Sequence, residues 1–283
     1  MYAEKWTIKA QERLSEFNKW KDICNVEYTN DRVLHSPYIT EPTVQTTARG
    51  TAYTHQAVTL TDDSVTISDI AILPQQIDRA DLAQQTFIKQ MDLADKQAIL
   101  INETIETAMY TAGLGATNFG DTGGGALGLG ATSFTLTINN LDDLVTGVQR
   151  EIRVANGQSK LDQHGMFMVL SPAGFQLVQQ FAMANGYTTA DKVLSDGIKQ
   201  GFEYMGCTFY SSNKLTAGHF FAGVKKQLHL GIVKDTYGQV VIDEEPATSS
   251  GALSAIAVVM RADYKFKIWT NVLPVLFDVN ATV

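Results

Sequence analysis

The 283-residue chain is 45% hydrophobic and 18% charged, a balance that supports a sizeable buried core and excludes a disordered polypeptide. Its net charge of -8 excludes tight non-specific binding of duplex nucleic acid, which needs clustered lysine and arginine against phosphates. No apolar run reaches the length of a membrane-spanning helix, and the opening Met1-Tyr2-Ala3-Glu4-Lys5-Trp6 is not a signal peptide.

In chain order, residues 3–20 are expected to form an amphipathic helix with Trp6, Ala10, Leu14 and Phe17 on one face. Trp6 and Trp20 have little chain nearby to bury them, so the segment either folds back onto the core or docks on another subunit. From Asp31 to Ile77 the sequence is rich in Thr, Val, Ile and Tyr, with the two-residue alternation of strands at Thr51–Tyr53 and Val65–Ser68. Arg49-Gly50 and Thr61–Ser64 read as turns. The stretch predicts a long β ribbon poor in large apolar residues. Such a ribbon is marginal alone in water and must lie on something else. The subunit's own long helix and a neighbouring copy are the two supports available, and the ribbon's extent favours the neighbour.

Asp81 followed by Gln84 has the form of a capping box, and no proline or glycine then intervenes before Gly113 and Gly115. Phe87, Met91, Ala94, Ala98, Ile101, Ile105 and Ala108 recur at alternating spacings of four and three. They fall on one stripe of a helix roughly 46 Å long, at about 1.5 Å per residue. Other elements must be laid along so long a helix. The glycine-rich stretch that follows repeats Gly-Leu-Gly-Ala-Thr, starting at Gly113 and at Gly128. It lacks a Gly-Lys-Ser/Thr ending and leaves a helix where a phosphate cradle would leave a strand, so it reads as a loop or glycine-permitted hairpin.

From Ser133 the pattern is mixed. Phe134–Thr137 is a strand, and Asn140 caps a helix carrying Leu141, Leu144, Val145, Val148 and Ile152 that ends at Gly157. Met166–Leu170 is a buried strand, and Ser171-Pro172 starts a helix that closes at Gly186. A short helix bears Val193, Leu194 and Ile198, and Gly201–Ser212 passes through a turn into a strand. The last third is strand-rich: Phe220–Gly223, Leu228–Val233, Gln239–Ile242, Ala255–Met260, Tyr264–Trp269 and Leu273–Val279. Lys265 and Lys267 alternate with Tyr264, Phe266 and Ile268, which predicts a sheet with one buried face.

Catalytic and metal-binding patterns are missing from the sequence. His35, His55, His164, His219 and His229 have no histidine or carboxylate at i+3 or i+4 that would suggest a helical metal pair. Cys24 and Cys207 are far apart and read as free buried thiols. Asp142-Asp143 suits the first turn of a helix, and Asp243–Glu245 precedes Pro246 in a loop. No nucleophile elbow is present. The chain is expected to be no enzyme and to take no cofactor or metal.

This order of parts, an amino-terminal helical arm, a β ribbon, a long spine helix and a mixed lobe with late strands, resembles the major capsid proteins of tailed bacteriophages (Caudoviricetes), the Hong Kong 97-type fold. Met168–Pro172 running into a helix is similar to that family's strand-to-helix step, and Leu194–Gly206 followed by Thr208–Leu215 to its glycine-punctuated return strand. Ala257–Ile268 is similar to its closing strands. The resemblance covers nearly the whole chain and implies an α+β fold with residues 1–30 as the amino-terminal arm and 31–80 as an extended loop over the neighbouring subunit. It places the spine helix and glycine-rich loop in a peripheral lobe over 81–200, and 201–283 mainly in an axial lobe, with strands returning to the peripheral one.

The resemblance further implies a structural protein that assembles as pentamers and hexamers into an icosahedral virion shell around double-stranded DNA, made in the bacterial host's cytoplasm. Trp6, Phe17, Trp20, Arg49 and Tyr53 are the expected inter-subunit contacts. A portal and a cement protein are expected partners, and a membrane is not. Some members cross-link through a lysine in the extended loop, but no lysine lies between Lys21 and Lys89, so the shell would rely on non-covalent overlap. The chain opens directly on the arm helix, which leads to the expectation of a separate scaffolding protein in place of an internal leader. The alternative within the fold is an encapsulin-like nanocompartment shell. From another class, the alternative is a soluble α+β binding or catalytic domain. If the ribbon lies on a neighbour, deleting residues 45–62 abolishes higher assembly and leaves a folded subunit by circular dichroism and size-exclusion chromatography. Unchanged particles would exclude that role.

Overall fold

Two β-sheets divide the interior, and their positions follow from which strand faces carry apolar side chains. The computed structural model describes residues 7, 8, 10, 11, 18–39, 43–78, 87–112, 120–121, 134–184, 202–243 and 255–283. The elements in order are α1 (Lys19–Ile23), β1 (Asn25–Thr29), β2 (Val33–Ile39), β3 (Leu60–Thr66), β4 (Asp69–Asp78) and α2 (Phe87–Thr111). Then come β5 (Gly120–Asp121), β6 (Phe134–Thr135), α3 (Leu141–Val154), α4 (Gln158–His164), β7 (Met166–Leu170) and α5 (Pro172–Ala184). The chain finishes with β8 (Phe202–Tyr204), β9 (Cys207–Ser211), β10 (His219–Val224), β11 (His229–Val233), β12 (Gln239–Asp243), β13 (Ala255–Lys267) and β14 (Leu276–Thr282).

The seven-stranded sheet runs β5-β14-β10-β7-β9-β8, with β6 beside β14. Its central strand β7, Met-Phe-Met-Val-Leu, is buried at every position because both faces are covered. Met166, Met168 and Leu170 point into one core with Leu144, Val148 and Ile152 of α3 and Phe175 and Val178 of α5. Phe167 and Val169 point the other way, into a second core with Ala98, Ile101, Ile105 and Met109 of α2. Neighbouring strands split the same way: Phe209 and Phe220 join the first set, Tyr210 and Phe221 the second.

The five-stranded sheet runs β1-β11-β13-β12, with β4 along the opposite edge of β13 over ten paired positions, Asp69↔Tyr264 to Asp78↔Ala255. Its inward face, including Leu230, Ile232, Val258, Met260, Ala262, Tyr264 and Phe266, belongs to the core under α2. Of the expected stripe, Ala94, Ala98, Ile101 and Ile105 are buried and Ala108 is partly so, while the side chains of Phe87 and Met91 lie outside those described. A third, smaller cluster of Leu34, Ile67, Val233 and Trp269 ties the β2–β3 ribbon to this sheet's outer side. The two large cores therefore cut across a boundary at residue 200, because residues 134–184 pack with 207–224 and 275–279 while α2 packs with 69–78 and 228–268.

The structure differs from the sequence expectation at several points. Asn18 is extended (φ -129, ψ 143), so no single helix runs to residue 20; asparagine is a poor interior residue and a good boundary one. Residues 18–29, expected within an arm, lie in the body, with β1 parallel to β11 from Asn25↔His229 to Thr29↔Val233. Thr61–Ser64 is not a turn but part of β3, where Asp62 meets His35 and Asp63 meets Thr270. The ribbon's turn is at Arg49-Gly50, with Gly50 at φ +89. Thr51–Tyr53 forms no strand, and β4 joins the five-stranded sheet and leaves the ribbon to β2 and β3. The expected break between Met260 and Tyr264 is absent, because Arg261 pairs with Asp263 through Nε (2.6 Å) and Nη2 (2.7 Å) and the charges cancel within one continuous strand. Helix α4 had no counterpart in the sequence reading. Asn140 precedes α3, but its side chain bonds Thr137 N and Thr135 O instead of capping the helix. Ser171 does cap α5, its Oγ accepting from Gly174 N at 3.2 Å. Within the glycine-rich stretch Gly120–Asp121 forms β5, parallel to β14, while the rest of that stretch, the capping box at 81–84, the stop at 113–115, Gly186 and the short helix near 193–198 lie outside the described residues.

Trp20 and Ile23 are both 0% exposed in the core beneath α2. Trp20→Ala is expected to lower unfolding free energy by roughly 3–5 kcal/mol, and Ile105→Ala by about 2–5 kcal/mol, in denaturant titration. Val154→Ala, on an exposed helix end, is expected to shift it by about 0.5 kcal/mol or less.

Candidate functional site

The titratable groups are arranged for structure. Cys24 and Cys207 are free and fully buried, and burial pushes both thiols up, away from the reactive thiolate. His229 is held below its ordinary value by burial, between Asn25 Nδ2 (3.3 Å) and the edge of Trp269. His219 Nδ1 lies 3.0 Å from both carboxylate oxygens of Asp278, beside a cavity of about 130 Å³ walled by Tyr110, Leu215 and Phe221. No group of three or more metal-ligating side chains occurs among the described residues. No helix among them is long and apolar enough to cross a membrane.

The amino-terminal segment is clamped to the body by charge. Glu106 on α2 receives Lys19 Nζ at 2.8 Å, Tyr110 Oη at 2.8 Å and Ser212 Oγ at 2.6 Å. Burial raises the Glu106 carboxyl, but these donors and the Lys19 charge outweigh it and hold the group below its ordinary 4.5. Asp22 receives Lys225 Nζ at 2.9 Å and the Tyr210 hydroxyl. Lys226 Nζ donates to Lys21 O (2.7 Å) and Cys24 O (2.8 Å), satisfying carbonyls at the end of α1 where a cation also suits the helix dipole.

The other surface is the ribbon. Beyond β2 and β3, residues 43–60 are exposed throughout and carry Val44 (89% exposed), Tyr53 (70%), Val58 and Leu60 into solvent. Two glutamines span the arm in place of a backbone ladder. Gln56 bonds Thr43 N (2.9 Å) and O (2.9 Å), and Gln45 bonds Thr54 N (3.2 Å) and O (3.1 Å). Near the ribbon's base, the outward face of the five-stranded sheet presents Ile70, Ile72 (53%) and Val241 uncovered. Pro74 and Val259, directly paired across β4 and β13, lie on the same face, as does Val241 opposite Val259.

The expected inter-subunit residues separate accordingly. Arg49 and Tyr53 stand exposed on the arm, with Tyr53 edge-on to His55. Trp20 does not: it is buried in the subunit's own core, because α1 folds back against α2, and that expectation is corrected. Trp6 and Phe17 lie outside the described residues. Ile70, Ile72 and Val241 were not singled out from sequence. Both faces of β4 and β12 carry apolar residues, and alternation alone does not say which face is left bare.

No protein-family model matches the sequence, and no curated protein matches it. Solved structures do match in three dimensions. A structure from Mycobacterium phage Che8 superposes with a TM-score of 0.61 at 14% identity, covering 94% of this chain and 93% of that one. The capsid structure of Cyanophage P-SCSP1u gives 0.54 at 13% identity over 95% and 90%. A virus-like particle from Pyrococcus furiosus gives 0.54 at 10% identity over 98% of each chain. The chain thus has the capsid fold of the Hong Kong 97 type.

Because the folded Glu106 carboxyl lies below its ordinary value, its contribution is fully present above about pH 4.5 and is lost as pH falls through the depressed value. Glu106→Gln is therefore expected to be less stable than the unaltered protein at pH 7 and to lose less stability between about pH 5 and 3. Equal acid sensitivity in parallel denaturant titrations would contradict the clamp.

Proposed function

We infer that the chain is a structural capsid protein whose copies close into a shell. The observation that carries this is the exposed, nearly uncharged arm over 43–60, with Val44, Tyr53, Val58 and Leu60 bare, beside an uncovered apolar sheet face, on a fold shared nearly end to end with capsid structures. An arm that buries nothing on its own subunit is stabilised when a neighbour covers it, at roughly 25 cal/mol per Å² of apolar surface removed from water. Arg49 and Tyr53 lie on that overlapping arm. Its seat is the Ile70–Ile72–Val241 face of the neighbouring copy.

The reading extends to pentamers and hexamers in an icosahedral virion shell around double-stranded DNA, made in a bacterial cytoplasm. The net charge of -8 supports an inner wall that does not grip the genome. In place of the expected boundary at residue 200, the proposal takes the lobe built on α2 and the five-stranded sheet as peripheral and the lobe around α3, α5 and the far face of the seven-stranded sheet as axial, because the two cores divide that way. A separate scaffolding protein, a portal and a cement protein belong to the proposal through the resemblance alone. The role is mechanical, with no catalytic residue and no cofactor. A second reading, a nanocompartment shell, is favoured by the match to the Pyrococcus furiosus virus-like particle.

Expression of the chain alone, and with its genomic neighbours, separates these readings by light scattering and negative-stain microscopy. Closed particles or five- and six-membered rings are expected, and co-purifying enzyme cargo would select the nanocompartment. A 31.0 kDa monomer under both conditions would overturn the shell reading. Ile72→Asp is expected to leave the free subunit's stability within about 0.5 kcal/mol while reducing particle yield at least roughly tenfold.

A further inference from the structure

We propose that Gly231 and Leu34 form a socket and knob that set the direction in which the arm leaves its own subunit, making them positioning residues for assembly. The inference rests on the shell reading above.

The ribbon touches the body at its base only, through few groups. Leu34 of β2 reaches across to β11, where Gly231 sits between Leu230 and Ile232. A Cβ at Gly231 would run into Leu34 Cδ1 and come within 3.2 Å of Ile67 Cδ1. The missing side chain is therefore the space that Leu34 occupies. Ile67, Val233 and Trp269 wall the same socket, and all are buried. This close approach requires glycine for space, since Gly231 has no positive φ.

Polar contacts ring the knob and fix its rotation. Asp63 of β3 accepts from Thr270 N and Oγ1, both at 3.0 Å, and faces Lys267 Nζ at 3.4 Å. Burial raises the Asp63 carboxyl, and the Thr270 bonds and Lys267 more than reverse that shift. Lys265 pairs with Asp69 at 2.8 Å, and Ile67 N donates to Arg32 O at 2.7 Å, closing the ribbon's two ends together. Because β2 and β3 pair over seven positions, Val33↔Thr66 to Ile39↔Leu60, a small rotation at Leu34 is carried along the ladder to the distal arm. The socket thereby decides where Val44, Tyr53 and Val58 arrive on a neighbour.

The test uses the full chain carrying nitroxide labels at Thr47→Cys on the arm and Gln176→Cys on α5. Both native thiols are buried, so labelling is confined to the new sites. Double electron–electron resonance on the free subunit is expected to give one narrow distance distribution. Gly231→Ala is expected to displace or broaden it, Leu34→Ala to broaden it, and the combined variant to be narrower than Gly231→Ala alone, because the added methyl enters the space Leu34 leaves. Both single variants are expected to lose closed particles roughly tenfold or more with the circular dichroism of the body unchanged. Distance distributions and particle sizes unaltered in both would overturn the proposal. If Gly231→Ala does not fold, Leu34→Ala, which adds no atom, decides alone. If the unaltered chain never assembles, the shell reading fails, while the distance measurement still judges the socket.

Discussion

Everything in this fold depends on a seven-stranded sheet buried on both faces. Its strands alternate apolar residues between two cores, so the sheet is a shared wall and neither lobe has an independent interior. Removing water from both faces contributes about twice the burial per strand of a one-sided sheet, at roughly 25 cal/mol per Å². It also couples the lobes. A side chain such as Phe167 presses on Phe221 (ring centroids 5.2 Å apart) beneath α2, while Met168, next in the strand, presses towards α3 and α5. Such a wall resists relative motion of the lobes more than a linker would.

Against this rigid wall, the two extremities are fastened by different physics. Segment 18–24 is held by buried apolar side chains and charge-assisted hydrogen bonds at Glu106, Asp22 and Lys226. The ribbon is held by one knob and a few polar contacts near solvent, where ion pairs are weak. The difference suits a body that is fixed before assembly and an arm that gains its partner surface from another copy.

Helices α2, α3 and α5 were legible because their apolar periodicity is strong, β7 because it is a short unbroken apolar run, and α5 also because it starts on a capping serine followed by proline. The resemblance supplied the fold, which no composition argument reaches. What failed to read were features decided by non-local partners. Arg261 and Asp263 look like a break until their side chains are seen to neutralise each other in mid-strand. Asp62-Asp63 looks like a turn until His35 and Thr270 appear opposite. Trp20 reads as a tryptophan with nothing to bury it because its cover, α2 and the late strands of the same core, comes later in the sequence. Gly231 carries no signal of its own, since the reason for glycine is a leucine almost two hundred positions away.

The arm's composition closes the argument. Between Val44 and Leu60 the only Lys, Arg, Asp or Glu is Arg49, and Thr, Gln, Val and Ala supply most of the rest. An exposed edge of that kind pairs readily with other chains, and charge, proline or bulges usually blunt it. Here Gln45 and Gln56 bond backbone N and O of the opposite leg, at Thr54 and Thr43, and so hold the two legs of the arm to each other. The side-chain amides offer the backbone both donor and acceptor, so each bridge resembles half a ladder rung and is exchanged for a true rung at little net cost. On the shell reading proposed above, specificity for a second copy would come from the match between Val44, Tyr53 and Val58 and the bare Ile70–Ile72–Val241 face, because hydrogen bonds alone do not distinguish one strand from another.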